Sequence, residues 1–241
     1  MSAREAIIAR LREQLRAADR TRLPGRRGVA ALGVPAIDAA LPWRGLARGG
    51  VHELLGGDGD AARFGFAAGL LGRLPVGGGR ILWCRGGHAT REIGRPYGPG
   101  LAGFGLAPER LLFFETRRAE EALWAIEEGL RCRRLAAVVG EGVATGLAAS
   151  RRLQLAAEAG DTLGLLLPAP GKAATTAAFT QWRIDSWPGS PEAAGLGASR
   201  WRVALQRCRG GGTGEWLVEF DDEALCLAVV AALADRSLAA E

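Results

Sequence analysis

Lysine is almost missing from this chain of 241 residues: Lys172 stands alone against 30 arginines. Histidine is nearly as scarce, and His52 and His88 are too few for a histidine-rich metal site. The four cysteines (Cys84, Cys132, Cys208 and Cys226) lie far apart and make no CxxC pair. That spacing argues against a zinc knuckle or a disulfide scaffold and for reduced thiols in a cytoplasmic protein. Although mean hydropathy is +0.06, no uncharged apolar run reaches the roughly 18 residues of a membrane-spanning helix. The opening MSAREAIIARLREQL carries charge through its apolar part, unlike a secretory signal. What is present is ordinary globular material, 48% hydrophobic and 24% charged, which excludes wholesale disorder.

The formal net charge of +5 has one origin. Residues 1–27 hold eight arginines against Glu5, Glu13 and Asp19, and the remaining basic and acidic side chains balance. Within that arm, Ser2 and Glu5 have the spacing of a capping box. The following helix carries an apolar stripe of Ile7, Ile8, Leu11 and Leu15, with Arg10, Arg12, Arg16 and Arg20 around it. TRLPGRRG then reads as a linker, so the chain divides into an arm (1–27), a core (28–221) and an end segment (222–241). An amphipathic helix on a linker needs a docking surface, which makes the four apolar residues candidate partner contacts.

Short apolar runs at Val51–Leu55, Arg80–Cys84, Leu111–Phe114, Leu135–Val139 and Thr162–Leu167 alternate with helical stretches at about 61–73, 118–131 and 146–159. This rhythm predicts an α/β domain with a mainly parallel sheet flanked by helices. Ala178–Trp187, Arg200–Cys208 and Glu215–Phe220 alternate apolar and polar residues, as antiparallel edge strands do. Asp222 is expected to cap a last helix, Glu223–Ala234.

In such a sheet the loop after the first strand is the natural phosphate site. Here VHELL is followed by Gly56, Gly57, Asp58, Gly59, Asp60, Ala61, Ala62 and Arg63, and Asp58 and Asp60 add negative charge where a triphosphate would sit. Against the pattern G-x-x-x-x-G-K-[ST], Gly56 fits, while Ala61, Ala62 and Arg63 stand where glycine, lysine and hydroxyl belong. Gly140, followed by Glu141, occupies the strand-end position of a metal-binding aspartate, and Arg85-Gly86-Gly87-His88 follows the strand that often ends in a water-activating glutamate. The three substitutions together predict a vestigial site with no cofactor, no metal and no catalytic residue.

The run Leu32-Gly33-Val34-Pro35-Ala36-Ile37-Asp38-Ala39-Ala40-Leu41, with Gly45-Leu46, Gly49 and Val51-His52-Glu53-Leu54, resembles the stretch leading into the phosphate loop of RecA-like recombinases. With its basic N-terminal helix and degenerate loop, the chain looks most like the ImuA family, RecA-like accessory proteins of bacterial translesion mutagenesis cassettes. The resemblance implies a RecA-like core and a non-catalytic role in DNA-damage-induced (SOS) mutagenesis. It also implies a place beside an ImuB-like inactive Y-family polymerase homologue, an error-prone replicative-type polymerase and RecA itself. Two DNA-binding loops of active recombinases are shortened here, at Gly140–Gly146 and at Pro168–Thr176.

Other readings stay open: a sequence-independent DNA-binding module using the arginine arm, self-association, or a weak ATPase using Arg63 and Glu141. Trp182, Trp201 and Trp216 are expected in the core, and Trp43 and Trp187 at the surface. Arg183, Arg202, Arg207 and Arg209 are candidates for a basic strip that contacts DNA or a partner. His88 lacks an acid or metal neighbour in sequence and is not expected to be a base. Because the net charge lies in the arm, replacing Arg10, Arg12 and Arg16 with alanine should abolish any salt-sensitive DNA binding, read as retention on DNA at rising ionic strength. Unchanged binding would move the DNA surface to the body.

Overall fold

The computed structural model describes residues 28–86, 94–169, 176–189 and 198–233. The N-terminal arm, with its candidate contacts Ile7, Ile8, Leu11, Leu15, Arg10, Arg12, Arg16 and Arg20, lies outside them, as does His88. The first elements build the motif that precedes the phosphate loop. A two-residue strand β1 (Val29–Ala30) pairs antiparallel with β2 (Leu46–Ala47), and the short helix α1 (Pro35–Ala40) lies between them. Asp38 explains the motif: its Oδ1 accepts the Leu32 amide at 2.9 Å and its Oδ2 the Gly33 amide at 3.0 Å. Gly33, at φ 78°, supplies the left-handed turn, Pro35 opens the helix and Ile37 is buried.

The main sheet has nine strands in the order β11-β10-β9-β8-β3-β7-β6-β4-β5. The parallel part comprises β3 (Val51–Leu55), β4 (Arg80–Gly86), β5 (Leu111–Thr116), β6 (Leu135–Glu141), β7 (Leu163–Leu167) and β8 (Thr180–Trp187). Strands β9 (Ser199–Cys208), β10 (Gly214–Asp221) and β11 (Cys226–Leu233) extend it antiparallel. Helix α2 (Ala62–Gly72) follows β3, the short α3 (Gly98–Ala102) follows β4, and α4 (Ala119–Arg131) and α5 (Leu147–Gly160) follow β5 and β6.

Strands covered on both faces read as continuous apolar runs, and LAAVV and LGLLL do so here. Trp83, Val139 and Leu165 turn to a core with Phe66 and Leu70 of α2. Their neighbours Cys84, Val138 and Leu166 turn to a second core with Ile126 and Leu130 of α4 and Leu153 of α5. Helix α4 has a clean apolar stripe, with Glu120 and Glu121 in its first turn and Arg131 in its last, the arrangement its dipole favours. Gln154 of α5 ties the layers together: its Oε1 accepts the Val51 amide at 3.0 Å and its Nε2 donates to the Gly49 carbonyl.

Trp182, Trp201 and Trp216 are buried in the first core, as the strand alternation requires, and Trp187 is exposed. Trp43 is half-buried against Phe179, with ring centroids 5.9 Å apart. The expected C-terminal helix is corrected: Cys226–Leu233 is strand β11, antiparallel to β10, and it extends the core beyond residue 221. Asp221 Oδ1 accepts the amides of Glu223 and Ala224, and Leu225 at φ 49° reverses the chain. The β-branched pair Val229-Val230 and the unpaired outer edge of β10 then favour a strand over a helix.

His52 of β3 is buried, with Nδ1 2.8 Å from Thr180 Oγ1 and Nε2 3.0 Å from the Ala47 carbonyl. The carbonyl requires Nε2 to donate, so Nδ1 accepts the Thr180 hydroxyl, which in turn accepts Trp182 Nε1–H at 2.7 Å. Burial, opposed by the Ala47 hydrogen bond, lowers its pKa from 6.5 to about 4. The unfolded imidazole therefore takes a proton near pH 6.5 while the folded one resists until about 4. This contribution to stability is complete above the unfolded value and is lost as pH falls through that window, on the order of 3 kcal/mol in all. Denaturant unfolding at pH 7, 5.5 and 4.5 should show a smaller acid loss in His52→Gln than in the native chain. Equal losses would contradict the assignment.

Candidate functional site

The carboxyl ends of the parallel strands carry the loop that corresponds to a phosphate cradle. It spans Gly56–Ala61 between β3 and α2. An α-helix begins with unpaired amides that attract an anion, and here the chain supplies its own. Asp60 Oδ1 accepts the Ala62 amide at 2.8 Å and the Ser186 hydroxyl at 2.6 Å, while Oδ2 accepts the Ser186 amide at 2.7 Å. Burial works against the charge on Asp60. The bonds from Ser186 and Ala62, with Arg63 close by, outweigh it and hold the carboxyl below its usual range.

Arg63 folds back rather than reaching outward. Its side chain lies against Gly56, where an added Cβ would sit 3.0 Å from Arg63 Cδ. Its Nη1 donates to the Pro168 carbonyl at the end of β7 at 2.8 Å, and the guanidinium stands 5.0 Å from the Phe64 ring centre. Nε finds no hydrogen-bond partner among the described residues. Burial draws the guanidinium below its ordinary pKa, against the pull of Glu141, Asp60 and Asp58.

Glu141 ends β6, and register places it opposite Arg85 of β4, which in turn stands opposite Glu115 of β5. Arg85 is 1% exposed. It donates from Nε to Glu141 Oε2 and from Nη2 to Glu141 Oε1, both at 3.1 Å, and from Nη1 to Glu115 Oε1 at 2.7 Å. Arg85 also reaches the Gly94 carbonyl. Trp83 Nε1 adds a bond to Glu141 Oε2 at 2.7 Å, and Arg95 pairs with Glu115 Oε2 at 3.1 Å. The hydrogen bond from Arg85, helped by Arg95, keeps Glu115 below the usual carboxylate range. Both oxygens of Glu141 are therefore engaged by protein donors. Gly140 faces the other core: a Cβ there would meet Ile126 at 2.6 Å and Leu166 at 2.9 Å.

This arrangement does not fit a magnesium–nucleotide complex. The anion position at α2 is taken by Asp60, the lone cation of the loop is turned inward, and the strand-end carboxylate is closed by Arg85 and Trp83. Among the described residues no group of three or more His, Cys, Asp or Glu side chains is placed to hold a metal ion. Beside the loop lies instead a cavity of about 430 Å³ lined largely by aromatic and aliphatic groups, Trp83, Trp201, Phe64 and Phe104 among them.

Other candidate residues are brought elsewhere. Arg207 donates to Thr176 Oγ1 at 3.1 Å and to the Ala178 carbonyl at 3.0 Å, and Arg209 stacks over Phe179 at 5.3 Å. Arg183 pairs with Asp185, Arg200 with Glu219 and Arg202 with Glu215, which interleaves opposite charges along the outer face of β8–β10. Glu53 is buried and accepts from Gln181 at 2.9 Å. Burial raises its pKa, opposed by Gln181, Thr176 and Arg207. The β6–α5 connector is short, residues 142–146, while part of the β7–β8 connector lies outside the described residues.

Sequence reasoning marked Glu141 but missed its partner Arg85, and treated Asp60 as a repulsive charge. The available signal was two opposite charges at the same level of strands that become neighbours. Removing the arginine alone tests the network: Arg85→Met should cost about 3–5 kcal/mol, because it strands buried Glu141. Adding Glu141→Leu to the same chain should recover much of that loss. A chemical denaturation series reads both, and a single variant within about 1 kcal/mol of the native chain would contradict a structural role.

Two curated proteins, each named protein ImuA, from Caulobacter vibrioides strains NA1000 and CB 15, are both 36% identical to the chain over 208 residues. The alignment covers 79% of this chain and 83% of each relative. A solved structure, the KaiC-like protein PH0186 from Pyrococcus horikoshii OT3, matches with a TM-score of 0.56 at 16% identity, over 84% of this chain and 99% of that one. That likeness shows a RecA-type fold. No family model matches. With more than a third of aligned positions identical across most of both sequences, the chain belongs to the ImuA family.

Proposed function

We propose that this protein is a non-catalytic accessory component of a bacterial damage-induced mutagenesis complex, working by protein contact during translesion DNA synthesis. Membership in the ImuA family supports the biological setting. The observation that carries the non-catalytic part is the closed charge network at the strand ends, where Asp60, Arg63 and Glu141 are each engaged by the protein itself. Phosphoryl transfer depends on groups that stabilise charge as it develops on the phosphate and the metal, and none of the three is left to do so.

The partners proposed are an ImuB-like polymerase homologue first, with RecA and an error-prone replicative-type polymerase beside it. Among the described residues no helix is long and apolar enough to cross a membrane, which accords with work on a soluble complex in the cytoplasm. The body offers little to DNA, since Arg183, Arg200 and Arg202 face carboxylates and Arg207 is held by Thr176 and Ala178; any sequence-independent DNA affinity then rests on the arm.

Three measurements decide this reading. The purified chain should show no magnesium-dependent ATP hydrolysis above background; turnover abolished by Arg63→Ala or Glu141→Ala would overturn the non-catalytic assignment. Co-expressed with the ImuB-like protein of the same cell, it should elute as one complex, and deleting either gene should lower damage-induced mutation to the same level, with no further drop in the double deletion. Independent, additive losses would place the two proteins in separate routes.

A further inference from the structure

Two cavities adjoin at the carboxyl edge of the sheet. The larger, of about 430 Å³, sits between α2 and the 94–104 segment, with Tyr97 at its mouth, 72% exposed. The smaller, of about 310 Å³, lies over Phe113 and Glu115 of β5. Arg95 and Pro96 belong to both and form the ridge between them. Trp83 in the first and Phe113 in the second are 6.3 Å apart between ring centres, so the two floors are continuous.

The larger cavity is held open by its own walls. Trp83 is fixed by its bond to Glu141, and Trp201 is packed between Phe66 at 6.2 Å and Phe104 at 5.9 Å. Gly65 makes that packing feasible, since a Cβ there would lie 2.8 Å from Trp201. The one carboxylate in its lining, Glu141, has both oxygens occupied, so a cationic group entering the cavity finds no free carboxylate and an apolar one finds aromatic surface. At the ridge the opposite holds. The Arg95 side chain is 84% exposed, and its pairing with Glu115 is a solvated surface contact that exchanges readily.

Shape and charge together choose the occupant. A compact molecule fills one cavity and leaves the other bare, including Phe113, which is 49% exposed although it lies on the central sheet. An extended chain crosses the ridge, places one side chain on each side and passes Arg95 between them. We propose that the paired cavities are a docking groove for an extended peptide segment of a partner protein, bearing two large apolar side chains a few residues apart and a carboxylate beside them that meets Arg95. The proposal rests on the reading that the chain acts through protein contacts, and it names the surface and the chemistry of one such contact.

A phage-displayed library of 12-residue peptides, selected on the full chain and counter-selected on a Tyr97→Ala/Phe113→Ser variant, tests it. All three substituted positions are exposed, so the variants should keep the native far-ultraviolet circular dichroism. The selected consensus should carry two large apolar residues and an Asp or Glu. A synthetic consensus peptide should bind the double variant at least tenfold more weakly by fluorescence polarisation. Arg95→Glu should shift the preference from the acidic peptide to its lysine counterpart. No enriched consensus, or a peptide bound equally well by all three chains, overturns the groove. A partner complex that forms with the native chain and survives every substitution also overturns it, while leaving the broader function standing. A native chain without any partner complex fails the broader function instead, and the peptide selection still decides the groove.

Discussion

Three charged side chains stand in register at the ends of three neighbouring strands, Glu141, Arg85 and Glu115, and the character of the whole site follows from them. Buried charges are tolerated only when paired and hydrogen-bonded, and Arg85 satisfies both carboxylates with separate nitrogens. The fork geometry of the guanidinium lets one side chain bridge β6, β4 and β5 at their carboxyl ends. It also orients Trp83, whose indole is the wall against which the aromatic cavity is built. A lysine, with a single nitrogen on a flexible stem, would not meet the same set of acceptors.

The sheet divides its labour between two faces. One is covered by α4 and α5 and is closed by glycines at Gly140 and Gly164, which admit Ile126 and Leu130 to the strands. The other holds α2, the 30–46 segment and the aromatic cluster of Phe66, Phe104, Trp201 and Phe220. At the carboxyl edge, where a RecA-like sheet carries its phosphate loop, this chain has close packing and internal ion pairs.

The parallel strands and their helices were legible because burial on both faces leaves continuous apolar runs, and the antiparallel strands because one wet face leaves alternation. The end of the chain was not. CLAVVAAL has the alanine content of a helix, and only the open edge of β10, a long-range fact, makes it a strand. The departures from the phosphate-loop pattern were visible in Ala61, Ala62 and Gly140, yet the ion-pair network at that edge was not, because Arg85 lies 56 residues from Glu141 and 30 from Glu115. Asp60 misled for a related reason: its sign suggests repulsion of a phosphate, whereas its geometry makes it the anion the helix needs. The aromatic cavity has no linear signature, since its walls come from six separate parts of the chain.

The Asp60 carboxylate at the start of α2 has one more effect. A protein that leaves a helix end for a diffusible anion gains stability by mass action, in proportion to the logarithm of the free concentration of that anion. Here the anion is tethered two residues from the amide it caps, so its effective concentration is a constant of the chain. The order that this cap gives the loop therefore does not vary with the concentration of a diffusible anion.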